Sequence, residues 1–333
     1  MKNLLFISPD TFGYYKVISE AIARKGFNPI WLNQLPDTSV LSRVFFRLTP
    51  NIARHIAIPF FLRELEKIDR VDHILIIKGE GVSEAVIAQM RARFPEAKIV
   101  FYLWDSLANV SGADRKIGLC DAAYSFDPVD CDKTEALEHL PLFHSKNVRP
   151  ATYKPGFAAF IGTLHSNRYQ LIRELADEIA KVTRIAPFLY FYYPNRMLFS
   201  LLKLMKTSFR KVRQSEVHFE PLDRDQFATI NSEAEIVIDI CHPKQSGLTM
   251  RSIEALGDGK KLITNNRTVR RYDFFRPENC YVIDGELGAD FGAFLNSPYH
   301  PPQDEVVAKY HIDAWLQALL LDDIARETDG RAR

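Results

Sequence analysis

Short apolar runs alternate with helical patterns along most of this chain, and that alternation restricts the fold more than any single motif. Leu4-Leu-Phe-Ile7 is an apolar run stopped by Ser8-Pro9-Asp10. A helical pattern follows from Tyr14 to Lys25, closed by Gly26, and Phe27 to Leu32 is strand-like again. His73–Ile77, Lys98–Leu103 and Ala122–Phe126 repeat the theme, with a helical stretch from Val82 to Arg93. Four-to-six-residue runs without polar alternation suit strands buried on both faces. Strands alternating with helices predict a parallel sheet covered by helices, and right-handed crossovers align every strand's carboxyl end on one edge.

The pattern pauses between Ser145 and Gly156, where Pro150, Pro155 and Gly156 cluster, and this reads as a linker. It resumes at Ala158–Ile161, with a helix to about Lys181, strand-like runs at Pro187–Tyr193, Glu235–Ile240, Lys261–Thr264 and Tyr281–Asp284, and a final helix over Glu305–Ile324. Residues Glu327 to Arg333 are polar and read as a frayed end. The expected organisation is one domain over 1–150, a second over 156–300, and a C-terminal helix in 301–333. The length of 333 residues supports two cores.

The densest chemistry lies in Gln245–Thr264, which reads as loop, helix, tight turn and strand. Ser246 and Gly247 are expected where the helix begins, and Thr249 and Arg251 in its first turn. Free N–H groups and the positive helix end suit a phosphate there. Glu254, three residues after Arg251, shares its face and can accept from ribose hydroxyls. The alternative is ordinary capping, with Gly257 and Gly259 only ending the helix. Earlier in the same half, Gly162 and Thr163 follow a strand, and glycine lets a ligand approach closely. His165, Asn167 and Arg168 add donors at the next helix start. Together with Thr249 and Arg251 these can neutralise a diphosphate, for which arginine offers a two-pronged fork.

In the first half, Asp10, Glu80 and Asp105 each follow a predicted strand. A carboxylate in such a loop can take the proton of an attacking sugar hydroxyl. Asp105 is the first choice, because an apolar strand and Trp104 would shield it from water and make it a stronger base. The alternative is that it caps the next turn with Ser106.

Several classes are excluded. No Walker loop, no Gly-x-Gly-x-x-Gly after the first strand and no Gly-x-Ser-x-Gly elbow occurs. Asp-x-Asp spacing occurs at Asp130–Asp132 and Asp223–Asp225, outside the Gln245–Thr264 stretch, so the candidate phosphate site requires no metal. The four cysteines are widely spaced, which suggests neither zinc nor disulfides and fits a reducing cytoplasm. The net charge of +1 gives no general attraction to nucleic acid. Met1–Pro9 is too short for a signal peptide, and no apolar run approaches the roughly 20 residues of a spanning helix. Arg196–Arg213 is basic and amphipathic, with Leu198, Leu202, Met205, Phe209 and Val212 on one face and no acid. A second basic-aromatic stretch runs from Arg43 to Arg54. Each is either a contact for an anionic membrane or a helix packed on its sheet.

The segments Ile76–Glu80, Phe101–Ser106, Tyr124–Asp130, Phe160–Tyr169 and Gln245–Asn266 resemble those of bacterial glycosyltransferases of lipopolysaccharide, capsule and exopolysaccharide assembly, including relatives of the CgeB-type spore-maturation proteins. The resemblance implies an α/β fold of GT-B type, with two Rossmann-like parallel-sheet domains facing a central cleft. It implies a nucleotide-sugar donor held by the second domain and a saccharide or lipid-linked saccharide acceptor held by the first. It also implies a last helix that packs back toward the N-terminal domain. The paired-glutamate E-x7-E pattern of many retaining members is missing, since Leu262 stands eight residues after Glu254.

The expected function is therefore metal-independent sugar transfer in cell-surface polysaccharide assembly, in the cytoplasm or at the inner face of the cytoplasmic membrane, with no cofactor beyond the donor. A nucleotide-sugar epimerase of the same form and a non-catalytic binding protein are the alternatives.

Overall fold

The computed structural model describes residues 1–10, 13–37, 46, 49–146, 153–165, 168–242 and 245–320. The chain divides into two compact units. Unit 1 comprises Met1–Ser145, Gln245–Gly247 and Lys309 onward; unit 2 comprises Lys146–Lys244 and Leu248–Ala308.

Unit 1 holds β1 (Lys2–Ser8), β2 (Phe27–Asn33), β3 (His73–Ile77), β4 (Lys98–Leu103), β5 (Ala122–Ser125) and β6 (Glu138–His139). Among the described residues they form one sheet in the order β2-β1-β3-β4-β5-β6. Every pairing is parallel. Leu4–Ile7 and Ile74–Ile77 are fully buried, as strands covered on both faces must be. Helices Tyr14–Arg24, Pro50–Glu66 and Glu84–Arg93 cover the sheet. The helix Pro50–Glu66 was not legible as one. It has Pro59 inside it and almost no amphipathic periodicity, yet buries Ala53, Ala57, Phe61 and Leu65.

Unit 2 holds β7 (Lys154–Thr163), β8 (Phe188–Tyr192), β9 (Val217–His218), β10 (Ala234–Asp239), β11 (Lys261–Thr264) and β12 (Cys280–Val282). Their order is β12-β11-β10-β7-β8-β9, again parallel throughout. Its core joins Phe160, Ile172, Phe191, Ile236 and Ile238 to Phe199 and Phe209.

Three expectations need correction. Residues 147–152 of the expected linker lie outside the described residues, but Pro155 and Gly156 belong to β7. The register against β10 shifts there, between Ala234 and Ile236. An irregularity of this kind tolerates a residue without an N–H and a glycine at φ 78°. The final helix is not continuous. It runs Asp304–Ala308 and then Ile312–Leu320, and residues 321–324 lie outside the described residues. Between the two, the backbone pairs with His144 instead: His144 N donates to Tyr310 O at 2.8 Å, and Ile312 N to His144 O at 2.8 Å. Ile312–Leu320 then packs within unit 1, with Trp315 1% exposed against Tyr102 and Phe143. Arg196–Arg213 is likewise two helices, Arg196–Met205 and Thr207–Arg210, broken where Lys206 is extended. Of the second basic-aromatic stretch, residues 43–45, 47 and 48 lie outside the described residues.

Candidate functional site

At the carboxyl end of β10 stands Asp239, 1% exposed. Its oxygens accept from Thr249 Oγ1, Arg251 Nη1 and Ser252 Oγ, each at 2.6 Å. Burial alone would push this carboxyl up, but the Arg251 guanidinium and the two hydroxyls hold it below the ordinary range. Thr249 also caps the helix Met250–Gly257, accepting from Ser252 N at 3.4 Å. One carboxylate thus sets the start of the helix and the aim of Arg251, whose side chain stays 28% exposed.

Gly162, near the end of β7, makes room for that arginine. A Cβ there would lie 2.9 Å from Arg251 Nη2 and 3.0 Å from the Phe160 ring. Arg168 lies close by but is placed differently from expectation. It is 8% exposed, donates Nη1 to Thr163 O at 2.9 Å, and donates Nη2 to Ile240 O. It ties the ends of β7 and β10 together rather than offering a free fork. Burial and the neighbouring Arg251 pull its guanidinium down to about 10. The His165 ring is buried at Nδ1 without a partner, and burial, then Arg168, His242 and Arg251, pull it down to about 4. It is neutral at pH 7, in a cluster where two cations, Arg168 and Arg251, meet one carboxylate, Asp239. Thr163 is exposed, and Glu254 is half-buried one turn past Arg251. Asn167 lies outside the described residues.

Ser246 and Gly247 do not stand where the helix begins, the place the sequence suggested for them. The helix starts at Met250, and both residues belong to unit 1. Ser246 gives its N–H to Asp127 at 3.0 Å and its hydroxyl to the same carboxylate. Gly247 lies flat on Phe126, where a Cβ would sit 2.5 Å from the ring. Asp127 is 2% exposed and also accepts from Ser106 Oγ at 2.7 Å and Val129 N at 3.1 Å. Burial raises it, but the Ser246 and Ser106 hydrogen bonds outweigh burial and hold it low. The Asp-Pro step at the start of Pro128–Lys133 was the available signal for this cap.

The carboxyl edge of unit 1 gathers two of the three expected carboxylates. After β3 the backbone turns left-handed at Lys78 (φ 63°) and Gly79 (φ 61°). A lysine there costs about 1–2 kcal/mol. The turn is held by Lys78 N to Tyr102 O at 2.9 Å and by the buried Lys116 Nζ to Gly79 O at 2.6 Å. Burial brings Lys116 down to about 7. Lys78 Nζ then lies 3.2 Å from Glu80 and 3.5 Å from Asp105. Gln34 grips Glu80 at both its N–H and its carboxylate, at 3.0 and 3.2 Å. Asp105 Oδ1 accepts from Ser106 N and Asn109 Nδ2, which is the capping role, while Oδ2 faces Lys78. The apolar shielding expected for Asp105 is replaced by this ammonium. Asp10 is exposed beyond β1 and takes no part in the described Lys78 ion pairs.

A groove of about 600 Å³ opens at the ends of β8 and β9, lined by Tyr190, Asn195, Arg196, His218, Phe219 and Glu220. Tyr190 and His218 stack at 4.0 Å with planes 11° apart. Among the described residues no three His, Cys, Asp or Glu side chains gather as a metal would need.

No family model matches the chain, and no curated protein matches it in sequence. Solved structures do match in shape. The catalytic domain of starch synthase IV from Arabidopsis thaliana, bound to ADP and acarbose, is similar over 99% of this chain and 98% of its own, at 10% identity and TM-score 0.58. Anabaena HepE in complex with UDP-glucose is similar over 96% of this chain and 98% of its own, at 10% identity and TM-score 0.59. The fold is GT-B. In GT-B terms the Asp239–Arg251 cradle occupies the carboxyl edge of the second parallel sheet, and the Lys78–Glu80–Asp105 cluster that of the first. In open α/β sheets this edge is where ligands bind.

Proposed function

We propose that the chain is a glycosyltransferase that moves a sugar from a nucleoside diphosphate donor to a saccharide or lipid-linked saccharide acceptor in cell-surface polysaccharide assembly, without a metal. The observation that carries this is the cradle at β7 and β10. It has a buried carboxylate aiming Arg251, a glycine that leaves the arginine room, a helix N-terminus, and an excess of positive charge. The ADP of the starch synthase and the UDP-glucose of HepE support a nucleotide donor.

The diphosphate lies against Arg251 and the first turn of Met250–Gly257, with the neutral His165 as a further hydrogen-bonding group. From β10 across β7 and β8 to β9 is three strand spacings, roughly 14 Å. That span lets the nucleoside reach the Tyr190–His218 groove, and Glu254 accepts from ribose. Asp105, or Glu80 or Asp10 in its place, takes the proton of the acceptor hydroxyl as its oxygen bonds to the sugar carbon. The carbon–oxygen bond to the diphosphate breaks, and Arg251 with the helix N-terminus stabilises the departing charge. Lys78 holds Asp105 and Glu80 ready and can release them as the acceptor enters. The protein works in the cytoplasm or at the inner face of the cytoplasmic membrane.

A thermal-shift panel of UDP, GDP, dTDP, ADP and CMP forms tests the donor. A ligand at 100 times its Kd stabilises by about 2.7 kcal/mol, and Arg251→Ala removes the shift. No shift with any nucleotide, in folded protein, refutes a donor of this class. Donor conversion without any acceptor would move the assignment to an epimerase.

A further inference from the structure

We propose that the helix Arg196–Met205 of unit 2 docks on an anionic lipid surface through Met197, Leu201, Leu204 and Met205, with Lys206, Arg210 and Lys211 beside them. These four apolar side chains are 83%, 50%, 74% and 70% exposed. Their spacing of four, three and one residues puts them on one side of the helix. The opposite side is already used: Phe199 is fully buried and Leu202 packs on the unit 2 core. The helix is therefore apolar on two sides, and among the described residues only one of them is packed against protein. The sequence pattern groups Leu198, Leu202, Met205, Phe209 and Val212 on one apolar face. The structure divides that face: Phe209 and Val212 are 5% and 3% exposed and join the core, whereas Leu198 and Met205 are 38% and 70% exposed.

Single exposed apolar residues need no explanation, but a contiguous stripe does. The charge around this one selects the occupant. No Asp or Glu occurs from Arg196 to Arg213, although the whole chain carries only +1. Lys206, Arg210 and Lys211 are exposed. The next acid, Glu216, is bound to Tyr169 at 2.5 Å and paired with Arg213 at 3.5 Å. Leucine and methionine beside a basic cluster suit insertion among acyl chains with cations at anionic headgroups. Two copies packed stripe to stripe would instead bring like charges together. No helix among the described residues is long and apolar enough to cross a membrane, so the contact lies along the surface. The inference goes beyond sugar transfer and fails or stands without it.

The test is co-sedimentation of the full chain with vesicles of phosphatidylcholine alone, or mixed with phosphatidylglycerol. The expected result is binding at least about tenfold stronger to the anionic vesicles, weakened by salt. Leu201→Gln with Leu204→Glu lowers it about tenfold or more while the unfolding midpoint stays put, since both residues are exposed. Lys206→Glu with Lys211→Glu, which leaves the apolar stripe intact, also weakens it. No binding to anionic vesicles overturns the proposal. So does equal binding by the leucine variant, or a dimer in solution that the leucine variant splits without vesicle binding.

Discussion

At the edge of the second sheet Asp239 is sealed from water with three donors on its two oxygens, whereas at the edge of the first Asp105 and Glu80 stand 29% and 36% exposed around one ammonium. The first arrangement fixes a cation before any ligand arrives, and its parts depend on one another for stability. The second costs little to open, because exposed ion pairs contribute about 0–1 kcal/mol. A group that must receive a proton needs that freedom; one that must only present charge to a phosphate does not.

The comparison breaks first at Asp105. Asp105→Asn is expected to lower kcat by about 10²–10⁴-fold while changing stability by less than about 1 kcal/mol, read from donor turnover and thermal unfolding on one preparation. A larger loss in Glu80→Gln would transfer the base role to Glu80. Asp239→Ala should do the reverse and destabilise unit 2 by about 3–5 kcal/mol, since Arg251 loses its partner at a buried carboxylate; denaturant unfolding measures it. A loss below about 1 kcal/mol would show that the cradle is not the rigid partner. Gly162→Ala crowds Arg251 and the Phe160 ring, with an expected cost of about 1–3 kcal/mol and weaker nucleotide binding in titration calorimetry. The smallest effect is set by pH. The unfolded chain protonates His165 near pH 6.5, but the folded chain holds it neutral down to about pH 4. Stability therefore falls as pH drops across that window, by about 1 kcal/mol after allowing for the solvent that reaches this partly exposed ring, and His165→Gln flattens that part of the curve.

Strands buried on both faces were the most legible elements, because an unbroken apolar run such as Ile74–Ile77 has few other homes. The helix after Thr249 was legible from its cap, Arg251 from its place in that helix's first turn, and Gly162 from its place at the end of a strand. Asp239 was not, because in Glu235–Ile240 it reads as one more strand residue and its role depends on side chains ten to thirteen positions later. Arg168 looked like a phosphate ligand because local spacing cannot show Ile240 O, 72 residues away. Local spacing likewise cannot show the partner of Ser246, since Asp127 stands 119 residues away. The Lys78 cluster was half visible: its acids follow strands, but nothing local shows that one ammonium serves both.

Gln245–Gly247 belongs to unit 1 although the sequence on both sides belongs to unit 2, and Lys309 onward returns to unit 1 as well. Neither unit is therefore a single stretch of sequence. A gene cut once between residues 146 and 153 would strip Asp127 of its serine and Tyr102 of Trp315. Recombination between relatives, in evolution or in the laboratory, would have to carry the tripeptide and the tail together with the first half to keep both halves whole.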